Sequence, residues 1–283
     1  KNRHRNLWSK KMNDLNKRVG FIGAGNMATA LISGLINSKY EPLKIIASSP
    51  EAQHLQKLEK DFGIQVTENN IDVIKNTDII ILAVKPNIIE DVVNEISDSI
   101  NHENHLVISI AAGIKIEKIA ALMGSKQKII RAMPNTPASI MEGVTALCSN
   151  KFIKPEDITD ARILFECVGK VSEIKENNID IFTALIGSGP AYIFYLIESM
   201  LESSKNLELS EEEKVNLISS MIAGSANLAN SSIDAPHVLR KKVTSPGGVT
   251  EKAIEGFEKR KLKEIIKLSM DEAEKKSIEL GDN

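Results

Sequence analysis

The sequence predicts an α/β chain in two parts: an open, mostly parallel sheet with helices on both faces over residues 18–180, then an all-α domain over residues 181–283. Three observations carry the prediction. Short apolar runs alternate with amphipathic stretches from Arg18 to Met133. The first run leads through Gly23-Ala24-Gly25 straight into a helical pattern. Strand patterns then cease after about Ile181. With 283 residues and 42 % hydrophobic content, the chain has the length and apolar mass for two cores.

The elements follow in order. Arg18 to Ile22 reads as a strand, the stretch to Asn37 as a helix, Leu43 to Ala47 as a strand, Glu51 to Phe62 as a helix and Ile64 to Thr67 as a short strand. Asn70 to Asn76 is a small helix. Asp78 to Val84 is apolar throughout, as a strand covered on both faces requires. Ile88 to Ile96 (helix), His105 to Ala111 (strand), Ile116 to Leu122 (helix) and Lys128 to Met133 (strand) complete the alternation. Residues 191–206, 210–231, 235–242, 250–259 and 261–280 all show helical periodicity, divided by Gly, Pro or Ser. Several of these helices are apolar on more than one face, which predicts self-association through the helical domain, as a dimer or a multiple of dimers.

Charge and composition exclude several classes of function. Residues 1–18 hold seven Lys/Arg against one Asp, so the net charge of -2 conceals an acidic body. With only eleven aromatic residues besides, the body lacks the basic face and stacking platforms of a nucleic-acid binder. No unbroken apolar run reaches 18 residues, so no membrane span is expected. Residues 1–17 read as a disordered basic leader outside the fold, with no apolar signal region and with Met12 as an alternative start. Cys148 and Cys167 stand far apart without a C-x-x-C, so neither disulfides nor a structural zinc site is expected, and the reducing cytoplasm is the expected compartment. No metal site is expected: His102 and His105 lie in a polar connection, and His237 reads as a surface or helix-start residue.

The chemistry sits in the turns. Gly23-Ala24-Gly25-Asn26-Met27-Ala28 lies between a strand and a helix, the context of a dinucleotide-binding, Rossmann-type turn. Gly23 permits the tight turn, Gly25 lets backbone approach a pyrophosphate, and Ala28 allows close helix packing. The second strand ends in Ala47-Ser48-Ser49-Pro50, with no carboxylate to accept a ribose 2'-hydroxyl; Ser48 and Ser49 therefore predict NADPH in preference to NADH. Ala83-Val84-Lys85-Pro86 leaves the fourth strand at its ligand-facing end, where Lys85 either attracts an anionic group or reaches solvent. The two prolines of Met133-Pro134-Asn135-Thr136-Pro137 stiffen a wall that presents Asn135 and Thr136 to a cofactor. Gly187-Ser188-Gly189-Pro190 opens a long helix. Ser245-Pro246-Gly247-Gly248-Val249-Thr250 opens another; its adjacent glycines expose consecutive N–H groups to a carboxylate, and Thr250 offers a ligand hydroxyl, a role compatible with that of N-cap for a helix from Glu251. The absence of a histidine acid suits a substrate that brings its own proton.

From Arg18 to Leu280, the motifs G-A-G-N-M, A-S-S-P, A-V-K-P, S-I-A-A-G, M-P-N-T-P, G-S-G-P-A-Y and S-P-G-G-V-T occur in order, and in this the chain resembles the pyrroline-5-carboxylate reductase family. The resemblance implies a Rossmann-type domain, a helical domain that interlocks with a partner subunit's, and reduction of L-1-pyrroline-5-carboxylate to L-proline with NAD(P)H. It implies cofactor positions at Gly23 to Ala28, Ser48, Asn70 and Ala83 to Pro86, and substrate positions at Val249 and Thr250 with Gly247, Gly248 and Ser245 before them. One departure is visible: an acidic residue expected near Ile233 is absent, and only Asp234 is adjacent. Two competing readings are another NADP-linked reductase of the β-hydroxyacid dehydrogenase type, which needs a catalytic lysine on a helix of the second domain, and a non-catalytic cofactor-binding regulator.

Overall fold

The computed structural model describes residues 15–124 and 126–282; the expectations for residues 1–14, Met12 included, lie outside the described residues. The chain forms two compact units, one running to Ser188 and regaining the chain from Glu274 on, the other Gly189–Ala273.

In the first unit, strands and helices alternate: β1 (Val19–Ile22), α1 (Asn26–Asn37), β2 (Ile45–Ser48), α2 (Ala52–Phe62), β3 (Gln65–Thr67), α3 (Asn70–Asn76), β4 (Ile79–Leu82), α4 (Ile89–Ser97), β5 (Leu106–Ser109), α5 (Ile116–Met123) and β6 (Lys128–Met133). These lie close to the predicted spans. The second strand starts at Ile45 because Pro42 opens a 3-10 turn over Pro42–Lys44. Beyond Thr136–Ile140, a 3-10 turn, come β7 (Gly143–Ser149), α6 (Pro155–Glu166) and β8 (Gly169–Glu173), for which the sequence pattern assigns no element. β8 is an edge strand with much of its length exposed, so it carries no apolar run to detect.

The sheet order is β3-β2-β1-β4-β5-β6-β7-β8. Every neighbouring pair is parallel except β6 with β7. β1 sits between β2 and β4, with Val19 opposite both Ile45 and Ile79. Alternate residues serve opposite cores: Phe21, Ile79 and Ile81 pack with Leu31, Leu35 and Phe165 on one face, while Ile22, Ile80 and Leu82 pack with Val93, Ile96 and Ile119 on the other. Leu15 is buried in the first of these cores, Asn16 accepts a hydrogen bond from Lys44, and the Lys17 carbonyl accepts one from the Tyr40 hydroxyl. Residues 15–17, grouped by their charge with the leader, are therefore part of the fold.

After β8 the chain runs on through α7 (Ile179–Phe182) and a π-helical turn, Thr183–Gly187. The predicted domain boundary falls at 180/181, whereas the compact unit extends to Ser188. The second unit contains α8 (Gly189–Ser203), α9 (Glu211–Ser231), α10 (Pro236–Lys242) and α11 (Val249–Lys259), and α12 (Leu262–Asp282) starts in it. The last turns of α12 return to the first unit, where the Ser277 hydroxyl donates to Asp180 at 2.7 Å. α9 opens with a reciprocal cap: the Ser210 hydroxyl accepts from Glu213 N, and the Glu213 carboxylate accepts from Ser210 N.

One finding revises the expectation of no membrane-length helix. The continuous helical run Glu176–Ser203 has a mean hydropathy of 1.4 over its most apolar 18 residues, long and apolar enough to span a bilayer by length and composition alone. A rule of unbroken apolar runs passes over it because Ser188, Gly189, Pro190 and Glu198 interrupt the stretch.

The β7/β8 edge generates a stability prediction. Gly169 has φ +151°, and a Cβ there would stand 1.9 Å from the Gly143 carbonyl oxygen. Strain and backbone overlap act together, so Gly169→Ala should cost about 3 kcal/mol or more, the upper range for single substitutions. Urea unfolding of the two proteins measures the difference.

Candidate active site

The strand order reverses at β1, which has the outward path to β2 and β3 on one side and β4 on the other. Ligands of open parallel sheets bind at the carboxyl ends of the strands beside such a switch. Here that place holds the turn after β1 and the segment after β4. Ala83 N donates to the Ile22 carbonyl at 2.8 Å, and Gly23 N donates to the Ser48 carbonyl at 2.9 Å, so the ends of three strands are tied together.

The two glycines of the turn are there for different reasons. Gly23 has φ +103°, and a Cβ would lie 2.5 Å from the Ala83 carbonyl oxygen, so both conformation and contact demand glycine. Gly25 has φ -74° and ψ -177°, open to any residue, and a Cβ would meet nothing within 4 Å. Nothing in the protomer asks for glycine at this position. The space beside it faces the start of α1, which has no side-chain cap and leaves its first N–H groups without helical partners. Asn26 is exposed, Met27 half-buried, and Ala24 and Ala28 are buried beneath. This cradle fits the pyrophosphate of a dinucleotide.

At the end of β2 the structure changes the expected roles. Ser48 is 0 % exposed, and its hydroxyl donates to Asn70 Oδ1 at 2.6 Å. Ser49 is also buried, and its hydroxyl accepts from Glu51 N at 3.1 Å. Neither hydroxyl stands open toward a 2'-phosphate; Ser48 instead orients Asn70, which is half-buried at the head of α3. Ala83 and Val84 are half-buried, Lys85 is exposed, and Pro86 starts a 3-10 turn.

Asn135 is more than a wall. It is 7 % exposed, its Oδ1 accepts from Val144 N at 2.8 Å, and its Nδ2 donates to the Ile186 carbonyl at 3.1 Å. The helical partner of that carbonyl would be the N–H four residues on, but residue 190 is proline and has none. Asn135 thus satisfies an acceptor that the Gly-Pro sequence orphans. Thr136 beside it is exposed.

In the second unit, the helix after the diglycine turn starts at Val249 with Gly248 as its N-cap. Thr250 is therefore the second helical residue and not a cap, because Gly248 already holds the extended conformation a cap needs. The Thr250 side chain is exposed and makes no hydrogen bond among the described residues. Gly247 has φ +73°, and its N–H donates to the Glu251 carboxylate at 2.6 Å, so the turn already holds one carboxylate. Ser245 and Val249 are exposed beside it. Ile233 is fully exposed, and the adjacent Asp234 pairs with Lys242.

Other reactive groups have structural duties. Burial pushes the Cys148 thiol up to about 12 and raises that of Cys167, so neither is a nucleophile near neutral pH. His102 pairs with Gln127 and His105 with Asn101 N, while His237 is an exposed residue in the first turn of α10. A cavity of about 860 Å³ lined by His102, Lys126, Lys128 and Phe152 lies at the amino-terminal ends of β5 and β6, the edge opposite the Gly23 turn.

Comparison with known proteins bears on the family and the fold. A profile described as pyrroline-5-carboxylate reductase dimerisation matches residues 176–280, and one described as NADP oxidoreductase, coenzyme F420-dependent, matches residues 18–113. The pyrroline-5-carboxylate reductase of Pseudomonas aeruginosa is 36 % identical over 266 residues, covering 94 % of this chain and 97 % of that protein. The pyrroline-5-carboxylate reductase structure from Coxiella burnetii superposes with a TM-score of 0.88 at 35 % identity, covering 93 % and 98 % of the two chains. The pyrroline carboxylate reductase of Plasmodium falciparum, solved with NADP bound, gives 0.85 at 32 % identity over 94 % and 99 %.

The two glycines separate folding from binding. Gly25→Ala should leave the melting temperature unchanged and weaken dinucleotide binding roughly tenfold, about 1.4 kcal/mol. Gly23→Ala should destabilise the fold itself. Calorimetric titration alongside thermal melts of both variants reads the difference.

Proposed function

This chain belongs to the pyrroline-5-carboxylate reductase family, and on that premise we propose that it reduces L-1-pyrroline-5-carboxylate to L-proline with NAD(P)H. The observation that carries the reading is the presence, in a chain matched to these reductases over nearly its whole length, of two features that nothing inside the protomer explains: the open cradle at Gly25 and the Thr250 hydroxyl, which has no partner among the described residues. The β-hydroxyacid dehydrogenase alternative needs a catalytic lysine on a helix of the second domain; α8 carries none, and the buried lysine of that unit, Lys214 at the start of α9, is paired with Glu211 at 3.2 Å.

The chemistry required is modest. A pyrroline imine protonated on nitrogen needs only a hydride at the C=N carbon, and the proton it brought stays on the product amine. Reduced nicotinamide, when bound, supplies that hydride. The protein's part is to position, since alignment supplies most of the rate. The Gly247 N–H, with the Ser245 hydroxyl, holds the substrate carboxylate, which takes over the hydrogen bond now made by Glu251; the Gly248 N–H, expected to share that task, instead closes the turn on the Ser245 carbonyl at 3.0 Å. Thr250 accepts a hydrogen bond from the iminium N–H and keeps it as the charge disappears from the C=N bond. Val249 lines the ring. Gly23 to Ala28 hold the pyrophosphate, Ala83 to Pro86 border it, and Asn135 fixes the backbone on which Thr136 is presented to the nicotinamide.

Self-association follows from the second unit. Phe194 and Tyr195 on α8 are 58 % and 71 % exposed, and Leu217, Met221 and Leu228 on α9 are also open to solvent. A second copy of these helices, in a dimer or a multiple of dimers, supplies the missing cover, in agreement with the dimerisation profile. The same cover accounts for the membrane-length hydropathy of Glu176–Ser203. Two free, buried cysteines support a reducing compartment such as the cytoplasm.

Two outcomes are expected. Thr250→Ala should lower kcat/KM for the imine by roughly ten- to hundred-fold, about 1.5 to 3 kcal/mol of transition-state stabilisation. Because Thr250 caps nothing, its melting temperature should stay that of the parent, and Thr250→Ser should retain most activity; full kcat/KM in Thr250→Ala removes this hydroxyl from the imine site. Sedimentation at micromolar concentration should give a dimer or larger assembly, and Leu217→Glu should shift it toward monomer. A monomeric parent would refute the assembly.

A further inference from the structure

The carboxylate missing from the end of β2 is supplied from elsewhere in the fold. Asn70 Nδ2 donates to Glu95 Oε2 at 2.8 Å, while Asn70 Oδ1 accepts from the Ser48 hydroxyl at 2.6 Å. Glu95 lies on α4, 47 residues from Ser48 in the chain, and belongs to none of the motifs. The direction of this relay is settled by chemistry: an ionised carboxylate only accepts, so the amide must turn its NH2 to Glu95 and its oxygen to Ser48. Glu95 is exposed, and the segment from Ser48 to His54 holds no Lys or Arg to offset a carboxylate beside it.

The end of β2 is where dinucleotide-binding sheets meet the adenine-side ribose, and the charge there decides between a 2'-hydroxyl and a 2'-phosphate. We propose that Glu95 is a specificity-determining residue of this chain: through Asn70 it orients the ribose corner, and its negative charge favours the 2'-hydroxyl of NADH over the 2'-phosphate of NADPH. The inference rests on the dinucleotide reading of the Gly23 turn and deepens it. It also alters the expectation drawn from Ser48 and Ser49. Their hydroxyls are buried and engaged, so the absence of an acid from the strand end does not leave the corner neutral. Asn70 retains one N–H and one lone pair for a ligand after both contacts are made. A 2'-phosphate approaching it comes within two hydrogen bonds of a like charge, an interaction felt most at low salt.

Two substitutions separate charge from orientation. Glu95→Gln keeps an oxygen that accepts from Asn70 and removes the charge. Glu95→Ala removes both. Equilibrium titration of NADP⁺ and NAD⁺ into the full-length protein reads the effect without turnover, and kcat/KM with NADPH and NADH is measured in parallel. In Glu95→Gln, the ratio of NADP⁺ to NAD⁺ affinity should rise about three- to tenfold at low ionic strength, with the gain shrinking as salt is added. In Glu95→Ala, NAD⁺ affinity should fall several-fold as well, because the Asn70 amide is free to turn. An unchanged affinity ratio in a folded Glu95→Gln protein that still binds both dinucleotides overturns the role of Glu95 alone. A parent protein that binds neither dinucleotide overturns the reading of the Gly23 turn and this inference with it.

Discussion

Everything at the candidate site depends on how closely β1 and β4 approach at their carboxyl ends. The Ala83 carbonyl lies where a side chain on residue 23 would begin, and Ala83 N is bonded to the Ile22 carbonyl, so chain leaving β1 has one way to turn. That turn brings the start of α1 over the strand ends and leaves the open space at Gly25. Further down, Gly20 lets β1 pack on α3, against Val73 and the Thr77 cap, at distances no Cβ would allow. Both faces of β1 and β4 are buried in separate cores, which prevents the pair from sliding. A register slip of one residue would exchange those cores, so the cradle's position is held by the same packing that makes the sheet stable.

The Met133–Pro137 segment shows the same economy in a different chemistry. Pro190 starts α8 well because its ring pre-sets φ, but it leaves the Ile186 carbonyl with no helical donor. The π turn before it widens the backbone, and Asn135 from across the sheet fills the gap with Nδ2 while its Oδ1 fixes Val144 N at the start of β7. One side chain therefore joins three segments. Gly187 allows this closeness, since a Cβ would press to 2.9 Å of the Met133 terminal methyl. Two motifs over fifty residues apart are in fact the two ends of a single hydrogen-bonded joint, so neither can vary without the other.

The alternation of elements was legible as far as Met133 because β1, β2, β4 and β5 are short, mostly apolar runs buried along their whole length, and β3 and β6 fall in step with them. Past it, β7 mixes Gly, Thr and Cys with its apolar residues and β8 lies at an exposed edge, so neither shows the apolar run that marked β1, β4 and β5. Leu15 was hidden for the opposite reason: one apolar residue inside a stretch dominated by charge. At the site, the turns were readable because glycine and proline state their own backbone needs. The partners of the polar side chains were not, because hydrogen bonds such as Asn70 to Glu95 or Asn135 to Ile186 join segments that no local pattern connects. The start of α11 was misplaced by two residues because Thr is a common cap, yet a glycine in extended conformation serves equally well at that position.

Glycine usage links the site to the assembly. Gly20, Gly23, Gly34, Gly143 and Gly169 are each explained within the protomer, since a Cβ at any of them would overlap a neighbour. Gly25, Gly189 and Gly224 are not: their backbone is ordinary, and a Cβ would meet nothing within 4 Å. A glycine inside a helix costs roughly 0.5 to 1 kcal/mol relative to alanine, so one kept at Gly224 in the middle of α9 has a use that the isolated protomer does not display. For Gly25 the proposed use is the approach of a pyrophosphate. Gly189 and Gly224 lie on α8 and α9, the helices with the most exposed apolar side chains, and close approach of another helix backbone is what a missing Cβ permits. On the proposed function, the unexplained glycines divide by location into ligand contact and subunit contact, and both kinds fall where that reading has the chain completed by something outside itself.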